Sequence, residues 1–140
     1  MKKLLFCITI LTALTGGQIK AQNSLTINIY GIEERKGNMY IALFDSTSFM
    51  KKNIAGKISP VKNDSLKVIL TNIPKGEYAV SIFQDANSNK KFDFKATKKG
   101  QFVFEKYGFS NNVLPMMGPP RFEACKFEVN DNATINITLK

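Results

Sequence analysis

Pro74-Lys75-Gly76-Glu77-Tyr78-Ala79-Val80-Ser81-Ile82-Phe83-Gln84-Asp85 is the stretch that decides the fold. Pro-Lys-Gly-Glu is turn chemistry, with Gly76 free to take a positive φ. Behind it Tyr78, Val80 and Ile82 fall on one parity and Ala79, Ser81 and Phe83 on the other, the two-residue period of a strand. That strand runs straight into Asp85 and the polar segment it opens.

The same period recurs on both sides. Upstream, Leu25, Ile27 and Ile29 alternate with Thr26, Asn28 and Tyr30, and residues 65–73 place Leu66, Val68 and Leu70 on one side. Residues 39–44 are apolar on both parities, which predicts a central strand covered on both faces. Residues 57–61 fit a short edge strand, because Pro60 cannot donate to a ladder. Between these lie an exposed hairpin turn over 31–38 and Asp45-Ser46-Thr47-Ser48, which can cap a short helix carrying Phe49 and Met50.

Downstream, Cys125, Phe127 and Val129 form one stripe and Ile135, Ile137 and Leu139 another, separated by the turn Asn130-Asp131-Asn132. Gln101-Phe102-Val103-Phe104-Glu105 fits a further short strand. No segment after residue 21 sustains a 3.6-residue period. About seven short strands with turn signals between them predict an all-β fold, an antiparallel β-sandwich of immunoglobulin-like or transthyretin-like kind.

The first 21 residues stand apart. Met1-Lys2-Lys3 is a basic start, residues 4–14 are apolar but for Thr9 and Thr12, and the segment ends at Ala21, the layout of a secretory signal peptide. The apolar run is too short for a transmembrane helix, and the expected division is a signal over 1–21 and one sandwich domain over 22–140. Cys7 lies inside the apolar run rather than at the cleavage point, so lipid anchoring is not expected. Export leaves Cys125 as the single cysteine, with no internal disulfide, in the periplasm or at the cell surface.

The formal charge is +9, and cleavage removes Lys2, Lys3 and Lys20 and no acid, leaving +6. Nearly all of it is lysine spread along the chain, with Arg35 and Arg121 the only arginines. A nucleic-acid partner is therefore not expected, since a reader of nucleic acid clusters arginine with aromatics. The chain has no histidine, which excludes a classical triad, and zinc is not expected with one cysteine and no imidazole. Asp85, Asp93, Glu105 and Glu123 could supply carboxylates for a small hydrolase, but surface acids are the simpler reading, and the chain is read as no enzyme.

One constellation suggests binding chemistry. Setting Asp85 as position 1 of a calcium loop puts Asn87 at 3, Asn89 at 5, the backbone carbonyl of Lys91 at 7 and Asp93 at 9, the alternate-position oxygens such loops use. Phe92, at position 8, would anchor the loop to the core. Lys90 stands at position 6, where the helix-loop-helix version has glycine, and Ala96 at position 12, where it has glutamate. The same pattern fits an Asx-rich turn whose side chains bond their own backbone. Tyr107, Phe109, Asn111 and Arg121 are candidates for a ligand groove, although with no tryptophan in the chain Tyr107, Phe109 and Phe122 read equally as a plug closing one end of the sandwich.

Pro74-Lys75-Gly76-Glu77-Tyr78-Ala79-Val80, the 85–93 run, Tyr107-Gly108-Phe109-Ser110-Asn111-Asn112 and Gly118-Pro119-Pro120-Arg121-Phe122 together resemble the successive blocks of a bacterial family of small exported proteins catalogued as domain of unknown function 2141. The resemblance implies an exported sandwich, similar in kind to transthyretin-like and carboxypeptidase-regulatory-like modules, and implies no activity. The family's Asn-Gly in the acidic loop is Asn89-Lys90 here. The expected function is that of an exported, non-catalytic module, binding or structural, with calcium as its one candidate cofactor. The alternative is a glycan- or peptide-binding module, its partner an envelope protein or glycan, and a monomer is expected.

Overall fold

A computed structural model of the chain describes residues 23–96 and 102–140. Residues 1–22, the proposed signal segment among them, and residues 97–101 lie outside the described residues. In chain order the strands are β1 (Asn23–Tyr30), β2 (Asn38–Phe44), β3 (Ala55–Pro60), β4 (Leu66–Ile73), β5 (Gly76–Asp85), β6 (Phe94–Ala96), β7 (Phe102–Phe104), β8 (Tyr107–Phe109), β9 (Phe127–Val129) and β10 (Ala133–Thr138). A 3-10 turn, Ser110–Asn112, and one short helix, α1 (Phe122–Cys125), complete them.

Two sheets form the sandwich, one of order β10-β1-β4 and one of order β3-β2-β5-β8, in which β9 also pairs with β5. The stripes read from sequence meet between them. Leu25, Ile27 and Ile29 of β1, Val68 of β4 and Ile137 of β10 face Met39, Ile41 and Leu43 of β2 and Val80 and Ile82 of β5, each at most 4 % exposed. At about 1.5–3 kcal/mol per fully buried aliphatic side chain, this interface is the main source of stability. Among the described residues no helix is long and apolar enough to cross a membrane.

Several local expectations change. β1 and β2 lie in different sheets, so residues 31–38 are a crossing between layers and not a hairpin turn. The crossing buries Ile32, and Gly37, at φ +68°, passes so close to β5 that a β-carbon there would sit 1.9 Å from the Asp85 carbonyl oxygen. β1 and β10 pair in parallel, Leu25 opposite Ala133 through Tyr30 opposite Thr138, while the remaining strand pairs are antiparallel. Gly76 does not take a positive φ; the left-handed residue is Asn72, at φ +62°. It forms a bulge in β4 that lets Leu70 and Ile73 both point inward despite their odd spacing.

The cap at Asp45 forms but no helix follows. Asp45 Oδ1 accepts the Thr47 N–H at 3.0 Å, the Thr47 hydroxyl at 2.8 Å and the Ser48 N–H at 2.8 Å, and these bonds, the side-chain bond from Thr47 foremost, hold its carboxyl below the usual range. Met50 then turns to φ +57°, which ends helical winding after one turn. β3 is the predicted edge strand, paired only with β2 and ending at Pro60.

Candidate functional site

The end of β5 builds the site. Asp85 is fully buried, and an ionised carboxylate there requires donors. They come from the loop it opens: Asn89 N–H donates to Oδ1 at 3.1 Å and Lys90 N–H to Oδ2 at 2.8 Å. The 85–93 loop is thus wound around the Asp85 side chain. Asn87 Oδ1 accepts the Asn89 N–H at 3.0 Å and Asn89 Oδ1 accepts the Lys91 N–H at 2.9 Å, each an Asx turn. The two amides also donate Nδ2–H to Asp93 Oδ2, at 2.7 Å from Asn87 and 2.6 Å from Asn89.

Four of the sequence-predicted ligand side chains, Asp85, Asn87, Asn89 and Asp93, therefore belong to one hydrogen-bonded network. Winding so tight demands left-handed backbone, and Ser88 and Lys90 take it, at φ +61° and +66°. Lys90 stands where the calcium-loop template places glycine for its sharp turn. The residue type departs from the template, while the conformation follows it.

Two supports were not legible as such. Glu105, from the end of the β6–β7 ribbon, accepts the Ala86 N–H through Oε1 and the Asp93 N–H through Oε2, both at 3.1 Å, and donates its own N–H to the Asp93 carbonyl at 3.0 Å. One side chain thus clamps both ends of the loop. Gln84, 2 % exposed, donates from Nε2 to the carbonyls of Glu34 at 2.6 Å and Lys36 at 2.9 Å, tying the crossing segment beneath it. An acid or amide one strand away carries no spacing signal, so nothing in the sequence marks either role.

Phe92 does not reach the core as expected: it is 41 % exposed and lies among aromatic rings on the outer face of the five-stranded sheet. Its ring lies 5.6 Å from Phe83, 5.8 Å from Tyr107 and 6.1 Å from Phe104, and Phe83 stacks on Tyr40 at 4.9 Å. Cross-strand pairing puts Ile58, Tyr40, Phe83 and Tyr107 in one row, the kind of same-face contact that stabilises sheets. Beside the loop a cleft of about 360 Å³ is lined by Glu33, Asp93, Phe94, Phe104, Glu105 and Lys106, among others, with Lys106 Nζ bridging to Glu33 at 2.7 Å.

The second candidate set lies apart from that cleft. Phe109 is 7 % exposed and packs with Ala79 and Cys125, against which Tyr107 and Phe122 also lie. Asn111, at φ +60°, spends its amide on the carbonyls of Ala124 and Lys126, both at 3.0 Å. Asn112 Oδ1 accepts the Thr138 N–H at 2.8 Å, tying this turn to β10. Arg121 stands exposed at the start of α1. Neither the cleft beside the loop nor a second one between β4 and β5 is lined by any of these four candidates.

Ser110 explains why the turn matters. One edge of β5 pairs with β9 over Gly76 to Tyr78 and with β8 over Ser81 to Phe83, leaving a gap at Ala79 and Val80. Ser110 fills it. Its hydroxyl, fully buried, accepts the Val80 N–H at 2.9 Å and donates to the Cys125 carbonyl at 2.5 Å. Gly108 permits the close approach of β8 to β10, since a β-carbon would lie 2.7 Å from the Ile137 side chain. Burial pushes the Cys125 thiol up to about 11, which makes it a packed, unreactive group.

Among the described residues no group of three or more Cys, Asp or Glu side chains is arranged to hold a metal ion, so a cation at the loop would depend on amide and carbonyl oxygens beside its two aspartates. Residues 27–137 match the model of a family described as an uncharacterized protein conserved in bacteria, DUF2141. No curated protein and no solved structure matches the chain.

Proposed function

The chain belongs to the bacterial family of domain of unknown function 2141, and from that premise we propose that it is an exported, non-catalytic β-sandwich module whose 85–93 loop holds calcium at one end of the fold. The observation that carries this reading is the path of the loop. Its first aspartate collects the N–H groups of the fifth and sixth positions, and the sixth position is left-handed. The ligands are the side chains of Asp85, Asn87, Asn89 and Asp93 and the carbonyl of Lys91. Asn87 and Asn89 now turn Nδ2 toward Asp93, so those nitrogens hold the place of a positive charge. An ion takes over that role once the amides rotate to present oxygen.

Two charged ligands, with Lys90 and Lys91 in the same loop, give weak affinity, on the order of 10⁻⁴ to 10⁻³ M. Export is supported by the layout of residues 1–21, and either the periplasm or the cell surface fits it. A chain without histidine, whose one described cysteine is buried, supports a non-catalytic role. The held surface is that of a binding or structural module.

The test is a thermal melt with and without calcium. At 10 mM calcium the affinity above corresponds to about 1.4–2.7 kcal/mol, a rise in Tm of roughly 4–12 °C. Asp85→Ala and Asp93→Ala should each abolish the rise; the second keeps the test readable if loss of the buried Asp85 prevents folding. An unchanged Tm at 10 mM calcium removes the metal from the account and leaves the sandwich untouched.

A further inference from the structure

The chain leaves the sandwich after Val113 and returns at Phe122, and both residues pack against the small core of Ala79, Phe109 and Cys125. Between them runs Leu114-Pro115-Met116-Met117-Gly118-Pro119-Pro120. Its apolar side chains turn outward, Leu114 56 %, Met116 98 % and Met117 94 % exposed. A β-carbon on Gly118 would meet no atom within 4 Å, so the segment faces open space there too and forms an exposed tip. Three prolines restrict its backbone, which lowers the ordering cost of insertion into anything else.

Arg121 follows the tip directly in the chain. Phe49 packs on the same small core with its ring 5.7 Å from Phe122, so the turn that continues through Met50, Lys51 and Lys52 meets the short helix that Arg121 precedes. Met50 is 46 % exposed. Among the described residues neither Lys52 nor Arg121 has an ion-pair partner.

Exposed apolar side chains on a tip favour insertion into an apolar medium over capture of a small ligand, and the cations of the adjoining segments favour a negative rim. A bilayer containing anionic lipid offers both, acyl chains for leucine and methionine and phosphates for lysine and arginine. Methionine side chains are flexible enough to pack in such a disordered medium. We infer that residues 114–117 insert into an anionic lipid surface while Lys51, Lys52 and Arg121 engage its phosphates. The inference is independent of the calcium reading, because the tip is held by the small core and not by the 85–93 loop.

The chain has no tryptophan, so Met117→Trp gives a single local reporter. The full chain carrying it should show a blue shift, and quenching by brominated acyl chains, with phosphatidylglycerol-containing vesicles and not with phosphatidylcholine alone. Met116→Ser in the same background, or Lys52→Glu with Arg121→Glu, should weaken the response at least tenfold; these exposed positions leave the melting temperature unchanged, which confirms folding. Residues 1–21 add an apolar run of their own, so the comparison is between tip variants of one chain. Vesicle binding with no shift at the indole overturns the proposal, as does a response indifferent to these substitutions. Capture of an envelope protein through the tip without any vesicle response also overturns it.

Discussion

Removing a single oxygen from Ser110 should weaken the fold far more than its size suggests. In Ser110→Ala the Val80 N–H and the Cys125 carbonyl each lose the partner they reach at 2.9 and 2.5 Å, in a place with no access to water. Each unpaired buried group costs about 1–3 kcal/mol, partly offset because the hydroxyl itself is no longer buried, for a net loss of about 2–4 kcal/mol. With an m-value of about 2 kcal/mol/M, the urea midpoint falls by roughly 1–2 M. The site of the loss is also defined. Hydrogen exchange at the Val80 amide should accelerate more than at Ile82, whose strand pairs with both β2 and β8. A midpoint within the error of the parent protein, with Val80 as protected as before, would refute the argument that this hydroxyl closes the gap between β8 and β9.

Three further outcomes follow from named contacts. Gly37→Ala places a β-carbon 1.9 Å from the Asp85 carbonyl at φ +68°, and should cost at least about 2 kcal/mol in denaturant melts because backbone, not a side-chain end, must move. Lys90→Gly relieves a left-handed lysine at φ +66° and should raise stability by about 0.5–1 kcal/mol, a gain of a few degrees in Tm measured without calcium. Cys125 should resist thiol reagents at pH 8 in the native protein and react at once in urea, since its burial keeps the thiol protonated up to about pH 11; rapid labelling of folded protein would contradict its place in the small core.

The strands were legible where one face is buried. Leu25, Ile27 and Ile29 are all fully buried, and Tyr78, Val80 and Ile82 line the same interior, so two-residue alternation carried their assignment. What alternation does not encode is the choice of partner. Residues 31–38 look like a hairpin turn because polar, glycine-containing connections look alike whether they join neighbours or change sheet, and the parallel pairing of β1 with β10 depends on residues about 108 apart, as in the Asn28–Asn136 bond. The short helix expected after Asp45 failed at Met50, whose positive φ no helix propensity announces.

At the candidate site the spacing of oxygen-bearing residues over 85–93 was legible because Asx turns are local, bonding positions two apart. The clamp by Glu105 and the tie by Gln84 were not, because each acts between segments that meet only through the fold. Ser110 illustrates the same limit: a serine in a polar run looks solvated, yet it is the ladder's missing rung.

Amide chemical shifts across a calcium titration would show whether the 85–93 loop takes calcium as proposed. Saturable shifts should concentrate at Asn87, Asn89, Lys90, Lys91 and Asp93, with a midpoint between roughly 10⁻⁴ and 10⁻³ M, and should be lost in Asp93→Ala. Shifts that are absent at 10 mM calcium, or that scatter over the surface acids while this loop stays still, would contradict the proposal.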